Sequence, residues 1–331
     1  MNDNKYKIGI IGLGPVGLIL ASHFKEAGCQ VFLCDIDKDK VNLIKSKGVE
    51  LKGAIEKNIF FNHVYTSINE LLKNNIDILI SSIKAYHVES ALNQIDKDSC
   101  KNMFLLIAQN GIDLQQMYAC KFKETQILRM VINFAGNLNA PNVVNVTFFN
   151  PPNYVASIDD SQTEVSGWIA NILNGVNLNT ISKDSFTITD KVWEKTILNA
   201  SLSPLCAISK LTMKEAMANP DTLEIIEQII LETIEVAKAE EIKLSDNFFR
   251  ICIRYLRKAG DHFPSLAVDL LSNRETEIEF FNAKIVEYGR KHYIRTPLNL
   301  TFTNLVKAMS HKNSQKVNEN KPEIKTSILD H

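Results

Sequence analysis

Through the first half of the chain, short apolar runs alternate with stretches in which apolar residues recur every three or four positions. Lys7 to Ile11, Gln30 to Cys34, Ile76 to Ile83, Phe104 to Ala108 and Leu128 to Ile132 read as strands. Several are apolar almost without interruption, as strands covered on both faces of a parallel sheet are. Pro15 to Ala27, Lys38 to Lys47, Ile68 to Lys73 and Val88 to Ile95 read as helices between them. This βαβ rhythm predicts an α/β fold with a Rossmann-type doubly wound parallel sheet. Asn142 to Ile158 is less regular, with a turn at Asn150-Pro151-Pro152-Asn153 between two shorter strands. A helix over Asp160 to Leu173 and a strand over Asn177 to Ser182 complete the domain.

From Asp190 onward the strand signal fades and helical periodicity takes over. Glu224 to Ala239 carries Ile225, Ile226, Ile229, Ile230, Ile234 and Val236 on an apolar face, and helices follow at Asp246 to Arg257, Ser265 to Ser272, Thr276 to Tyr288 and Leu298 to Met309. A chain of 331 residues exceeds the size at which one core keeps growing. The expected organisation is a dinucleotide-binding domain over 1–186, an all-helical substrate and catalytic domain over 187–310 and a disordered tail over 311–331, where polar residues and a late proline lack periodicity.

One helical segment stands out. Trp193-Glu194-Lys195-Thr196-Ile197-Leu198-Asn199-Ala200-Ser201-Leu202-Ser203-Pro204 places a cation, an amide and a hydroxyl at four-residue intervals, on one helix face. Ile197, Leu198, Leu202 and Leu205 between them are apolar, so the helix reads as largely buried with its polar stripe facing a cleft or a polar partner. A solvated face is the alternative reading of this segment taken alone.

Composition narrows the classes of partner. With 37 basic and 38 acidic residues there is no electrostatic reason to invoke nucleic acid or an anionic membrane, so an anionic ligand needs a local site. The apolar run Ile8 to Leu20 is broken by glycines and a proline and is not a signal peptide, and no segment reaches membrane-spanning length. The six cysteines are scattered without a Cys-x-x-Cys pair or a nearby His cluster, which points to reduced thiols in a cytoplasmic protein and to no metal site.

The local site for an anion is at the start. Gly12-Leu13-Gly14-Pro15-Val16-Gly17 follows the first strand and opens the first helix, the context in which glycines let a backbone approach a pyrophosphate at a helix N-terminus. Asp35 stands at the end of the second strand, where a carboxylate accepts from ribose hydroxyls and repels a 2′-phosphate. This favours NADH within an NAD(P)H-binding site, although Lys38 and Lys40 are near enough in sequence to reach a phosphate.

The ordered set of motifs resembles the ketopantoate reductase (2-dehydropantoate 2-reductase) family. It comprises the glycine loop, Ile83-Lys84-Ala85, Gln109-Asn110-Gly111, Lys195 to Ala207, Phe263-Pro264-Ser265, Thr276-Glu277-Ile278-Glu279 and Asn282. The resemblance implies a Rossmann domain followed by a helical domain with the active site between them. It implies that Lys195 donates the proton as hydride reaches a ketone carbon, and that Glu277 holds the site together near this lysine and the cofactor. It further implies cofactor contacts at Lys84, Asn110 and Ala135, and substrate contacts at Asn110, Lys195, Asn199, Ser203 and Ser265. Three departures bear on specificity: Ser203 where the family usually has Asn, Asp35-Ile36-Asp37 where it often has Arg, and Leu211-Thr212-Met213-Lys214 in place of an Asn-Gly segment.

The expected activity is therefore reduction of 2-dehydropantoate to pantoate with NAD(P)H, in pantothenate and coenzyme A synthesis. A related dehydrogenase of another 2-oxo or 3-hydroxy acid and a non-catalytic nucleotide-sensing module are the alternatives. The long apolar helices suit either a homodimer interface or the interior of the second domain alone, so the oligomeric state stays open.

Overall fold

The computed structural model describes residues 5–319. The strands run β1 (Ile8–Ile11), β2 (Val31–Cys34), β3 (Val49–Gly53), β4 (Lys57–Ile59), β5 (Val64–Tyr65) and β6 (Ile78–Ser81), then β7 (Phe104–Ile107), β8 (Ile127–Val131), β9 (Phe134–Ala140), β10 (Val143–Phe149), β11 (Asn153–Ser157) and β12 (Thr180–Ser182). Eight of them form one sheet in the order β12-β11-β8-β7-β6-β1-β2-β5. From β5 to β8 all pairings are parallel, and β11 turns the direction by pairing antiparallel with β8. Every residue of β1, β2, β6 and β8 is buried, so these strands read as apolar runs interrupted only by Ser81 in β6 and Arg129 in β8. The chain leaves β1 towards β2 on one side and returns to β6 on the other. The loops after β1 and β6 therefore diverge at a topological switch point, where open α/β sheets bind ligands.

A second sheet, β4-β3-β10-β9, was not anticipated from the sequence. The irregular stretch 142–158 divides between the two sheets, β10 in the small one and β11 in the large one. Helix Pro15–Glu26 packs on β1 and β2 with one side and on the small sheet with the other, so Gly17 to Phe24 are buried in succession. A helix apolar all round needs cover on both sides, and the second sheet supplies it. Asn142 pins the hairpin joining β9 and β10 to the main body, donating from Nδ2 to Gly48 O at 2.9 Å and accepting from Glu50 N through its carbonyl at 2.9 Å.

The structure divides into two units, the first ending at Lys195 and the second beginning at Thr196, inside helix Ser185–Ser209. The second unit is helical, with Met213–Ala218, Pro220–Ala239, Phe248–Leu256, Ser265–Leu271, Asn282–Lys291 and Pro297–Glu319. Asn219 caps helix Pro220–Ala239, its side chain accepting from Asp221 N and Thr222 N, and Ile226, Ile229 and Ile230 of that helix lie in the core. The single helix expected over Thr276 to Tyr288 is a 3-10 turn, Ile278–Phe280, followed by Asn282–Lys291.

The expected tail is also corrected in part. Helix Pro297–Glu319 continues through 311–319, and the rest of that segment, 320–331, lies outside the described residues. The absence of apolar periodicity there did not stop the helix. Once its first turns are anchored by Phe302 and Val306, residues of good helix propensity such as Ala308, Met309 and Lys312 propagate it. Among the described residues no helix is long and apolar enough to cross a membrane.

Candidate active site

Each glycine of the loop after β1 has a separate steric reason. Gly12 has φ +88°, and a Cβ there would stand 2.7 Å from Ile83 N in the loop after β6. At Gly17 a Cβ would stand 2.1 Å from Gly12 O, so this glycine lets the helix close on its own turn. Gly14 differs, because a Cβ there would meet nothing within 4 Å. The open space in front of Gly14 adjoins the N-terminus of helix Pro15–Glu26, which has no capping side chain. Uncapped N–H groups, a positive dipole end and free space are what a pyrophosphate requires, so these residues fit a dinucleotide.

Neighbouring loops are stitched to this one. Ser82 Oγ lies 2.8 Å from Gly12 O and 3.1 Å from Ile11 O, tying the loop after β6 to the loop after β1. Gln109 Nε2 donates to Ile83 O at 2.8 Å, which adds the loop after β7. Behind Gln109 the Tyr118 hydroxyl lies 2.9 Å from Gln109 Oε1 and 2.7 Å from Ser81 Oγ, and burial pushes its pKa up to about 12. Arg129 Nη2 donates to Gly111 O at 2.9 Å, and burial lowers the pKa of this guanidinium to about 10. Asn110 thus stands half-buried on a braced loop at the carboxyl end of β7, and Lys84 half-buried at the end of β6. No spacing or periodicity along the chain marks Ser82, Gln109, Tyr118 or Arg129. Only the Gln109-Asn110-Gly111 motif hinted at one of them.

Asp35 is held more tightly than a free ribose acceptor. Its Oδ2 accepts from Leu13 N at 2.8 Å and from Lys40 Nζ at 3.0 Å, while Oδ1 accepts from Asp37 N at 3.0 Å. The carboxylate fixes the glycine loop to the end of β2 and draws Lys40 in beside it. Lys38 opens the following helix, Lys38–Lys47, capped by Asp37. Ala135 lies exposed on β9 opposite Phe148, where the pairing with β10 shifts register.

Helix Ser185–Ser209 is continuous, so Lys195, Asn199 and Ser203 share a face. Trp193, Ile197, Leu202 and Leu205 are buried, and so is Ser203, at 6% exposed. Lys195 and Asn199 are half-buried. These values do not describe a solvated face. Among the described residues the Lys195 ammonium has no hydrogen-bond or ion-pair partner, and the loss of water around it lowers its pKa to about 8. Burial disfavours its charged form, with no carboxylate compensating.

In the second unit Glu277 is half-buried and precedes the Ile278–Phe280 turn. Ser265 is exposed at the first position of helix Ser265–Leu271, behind Pro264. The structure thus gathers the glycine loop, Asp35, Lys84 and Asn110 at the carboxyl edge of the first unit's sheet. It places Asn199, Ser203, Ser265 and Glu277 on helical elements of the second.

A glycine loop of this shape at the switch point of a doubly wound sheet, followed along the chain by a helical unit, is the build of an NAD(P)-dependent oxidoreductase. The chain belongs to the ketopantoate reductase family. The model described as Ketopantoate reductase PanE/ApbA matches residues 8–159, and the model described as Ketopantoate reductase PanE/ApbA C terminal matches residues 187–310. The 2-dehydropantoate 2-reductase of Streptococcus pyogenes serotype M3 is 27% identical over 301 residues, covering 90% of this chain and 96% of that protein. The enzyme of the same name from Aquifex aeolicus is 26% identical over 308 residues, covering 91% and 96%. In fold the chain is similar to a D-mandelate dehydrogenase solved with NADH and anilino(oxo)acetate, with a TM-score of 0.81 at 24% identity, covering 93% of this chain and 99% of that one. A PanE/ApbA family ketopantoate reductase from Ralstonia eutropha JMP134 has a TM-score of 0.81 at 21% identity, with the same coverage. Family membership favours an enzyme over the nucleotide-sensing module.

Proposed function

We propose that this protein reduces 2-dehydropantoate to pantoate with a reduced nicotinamide cofactor, in the synthesis of pantothenate and coenzyme A. The observation that carries the reading is Lys195, a desolvated ammonium with no counter-ion among the described residues, at the head of a stripe formed with Asn199 and Ser203. The bound dinucleotide supplies the hydride. The Gly12–Gly17 backbone and the helix N-terminus behind it hold the pyrophosphate, Asp35 faces the adenine-side ribose, and Lys84, Asn110 and Ala135 complete the cofactor contacts. Lys195 stabilises negative charge developing on the carbonyl oxygen and gives it a proton, a form of catalysis worth roughly 10²- to 10⁴-fold. Asn110, Asn199, Ser203 and Ser265 orient the oxo acid, and Glu277 steadies the site.

Asp35 supports NADH as the better cofactor, because a carboxylate at the end of β2 opposes a 2′-phosphate. Purified protein mixed with NADH or NADPH and 2-dehydropantoate is expected to consume the absorbance of the reduced nicotinamide. No consumption with this substrate, but consumption with a different 2-oxo acid, overturns the substrate assignment. Ser203 favours that second reading, since its side chain is shorter than the Asn usual in the family and leaves room for a different substituent.

A further inference from the structure

Pro204 lies inside helix Ser185–Ser209. A proline has no N–H to give the carbonyl four residues earlier, so Ala200 O loses its helical donor in a buried part of the second unit. The structure supplies a substitute. Asn282 Nδ2 donates to Ala200 O at 3.0 Å and to Asn299 Oδ1 at 3.0 Å, which uses both of its hydrogens and fixes its amide plane. Asn299 Nδ2 donates in turn to Glu232 Oε2 at 2.8 Å. Glu232 also accepts from Leu298 N at 2.9 Å and Asn299 N at 3.1 Å, so it caps helix Pro297–Glu319 from a neighbouring helix.

Asn282 and Asn299 are both fully buried, and Asn282 Oδ1 has no partner among the described residues. Leaving such an acceptor unpaired forfeits the hydration it would have in the unfolded chain. The amide persists at that cost in a place where an apolar side chain would avoid it. Its position gives a reason. Ala200 directly follows Asn199 and lies one turn from Ser203, while Asn282 directly follows the turn that begins at Glu277.

We infer that Asn282 is a positioning residue for the oxo-acid site: it replaces the N–H missing at Pro204 and sets the direction of Asn199 and Ser203 relative to Glu277. It touches neither cofactor nor substrate. The inference rests on the reading that Asn199 and Ser203 grip the substrate.

A paired substitution tests it. Asn282→Ala is expected to raise the KM for 2-dehydropantoate about tenfold, the worth of one buried hydrogen bond, while the dissociation constant for reduced cofactor stays within about twofold. In a Pro204→Ala background residue 204 regains its N–H, and the same substitution is expected to raise KM by no more than about threefold. A merely structural role would lower the melting temperature in both backgrounds and leave the two KM ratios equal. Equal ratios, or no change in KM, overturn the inference. If Asn282→Ala alone does not fold but the double variant does, a KM of the double variant within about threefold of that of Pro204→Ala supports the inference, and a larger rise overturns it. If neither folds, Asn299→Ala, which frees the Asn282 amide to rotate, is expected to raise KM about threefold, and an unchanged KM overturns it. Should the wild-type chain bind cofactor but turn over no oxo acid, the functional reading fails separately. Amide hydrogen exchange over 196–209 then decides: Asn282→Ala speeds it with Pro204 present and not in the Pro204→Ala background, and equal exchange in both backgrounds overturns the inference.

Discussion

At the glycine loop the chain works by leaving side chains out, whereas on helix Ser185–Ser209 it works by keeping one side chain away from water. Gly12 and Gly17 are demanded by backbone atoms closer than 3 Å, and Gly14 by the ligand that would fill the space before it. None of the three does chemistry. Lys195 differs in kind: burial lowers the pKa of its ammonium to about 8, with no carboxylate partner among the described residues. A binding surface made of backbone is recognisable by what is missing from it. A reacting group is recognisable only by its surroundings, and these come from residues distant in sequence.

The contrast is sharpest for Lys195→Ala. Turnover is expected to fall about 10³-fold while the cofactor dissociation constant stays within about twofold. Near-normal turnover would remove Lys195 from the acid role. The same lysine is expected to set the pH dependence. As an acid it must be protonated, so with a pKa of about 8 the value of kcat/KM is level below that pH and falls tenfold per unit above it. A lysine in water would hold the plateau to about pH 10. A pH-rate profile of the wild-type enzyme distinguishes these.

The glycines should fail in two different ways. Gly17→Ala forces a Cβ against Gly12 O and is expected to cost on the order of 3 kcal/mol of stability in denaturant unfolding. Gly14→Ala has room for its methyl group, so stability should change by less than about 0.5 kcal/mol. Cofactor binding should nonetheless weaken about tenfold, because the methyl occupies the approach of the pyrophosphate. Equal effects of the two substitutions would break the division between steric and ligand-facing glycines.

His23 extends the comparison to a dry base that does no chemistry. It lies in helix Pro15–Glu26, with Nδ1 2.6 Å from Ile19 O, and burial lowers its pKa to about 4. The unfolded chain therefore binds a proton that the folded one refuses between about pH 6.5 and 4. Stability falls as pH drops through that window, by about 3 kcal/mol in total, and this contribution is level outside it. His23→Leu is expected to remove that part of the slope in melting experiments; an unchanged slope would place the titration elsewhere.

That helix also shows what could be read from sequence and what could not. The strands β1, β2, β6, β7 and β8 were legible because burial on both faces makes them apolar at nearly every position, Ser81 and Arg129 excepted. β3, β4 and β9 were not, since they belong to a thin sheet whose outer positions, such as Lys52, Asn137 and Asn139, face solvent and break the apolar pattern. The clue lay outside them, in a helix apolar on every side. At the candidate site, four-residue spacing revealed the stripe of Lys195, Asn199 and Ser203, but spacing cannot show that a lysine has lost its water. Still less can it show that Pro204 would need an amide from Asn282. Asp35 was found by position, but its bond to Leu13 N was invisible because the glycine loop and the end of β2 meet only in the fold.

The smallest effect concerns Lys40, where backbone and side-chain strategies meet. Its ammonium lies 3.0 Å from Asp35 Oδ2, and the two side chains are only 15% and 11% exposed. A carboxylate at Asp35 would repel a 2′-phosphate, yet Lys40 stands beside it and offsets part of that charge. If NADPH is also used, a cation here would offset part of the repulsion of its 2′-phosphate. Lys40→Ala leaves the Leu13 and Asp37 amides on Asp35 and removes only the cation. The KM for NADPH is then expected to rise about three- to tenfold while that for NADH moves less than about twofold, as loss of one partly screened charge contact predicts. If both rise together, Lys40 serves the glycine loop through Asp35 and has no part in cofactor choice; the contrast between backbone and side chain then ends at this position.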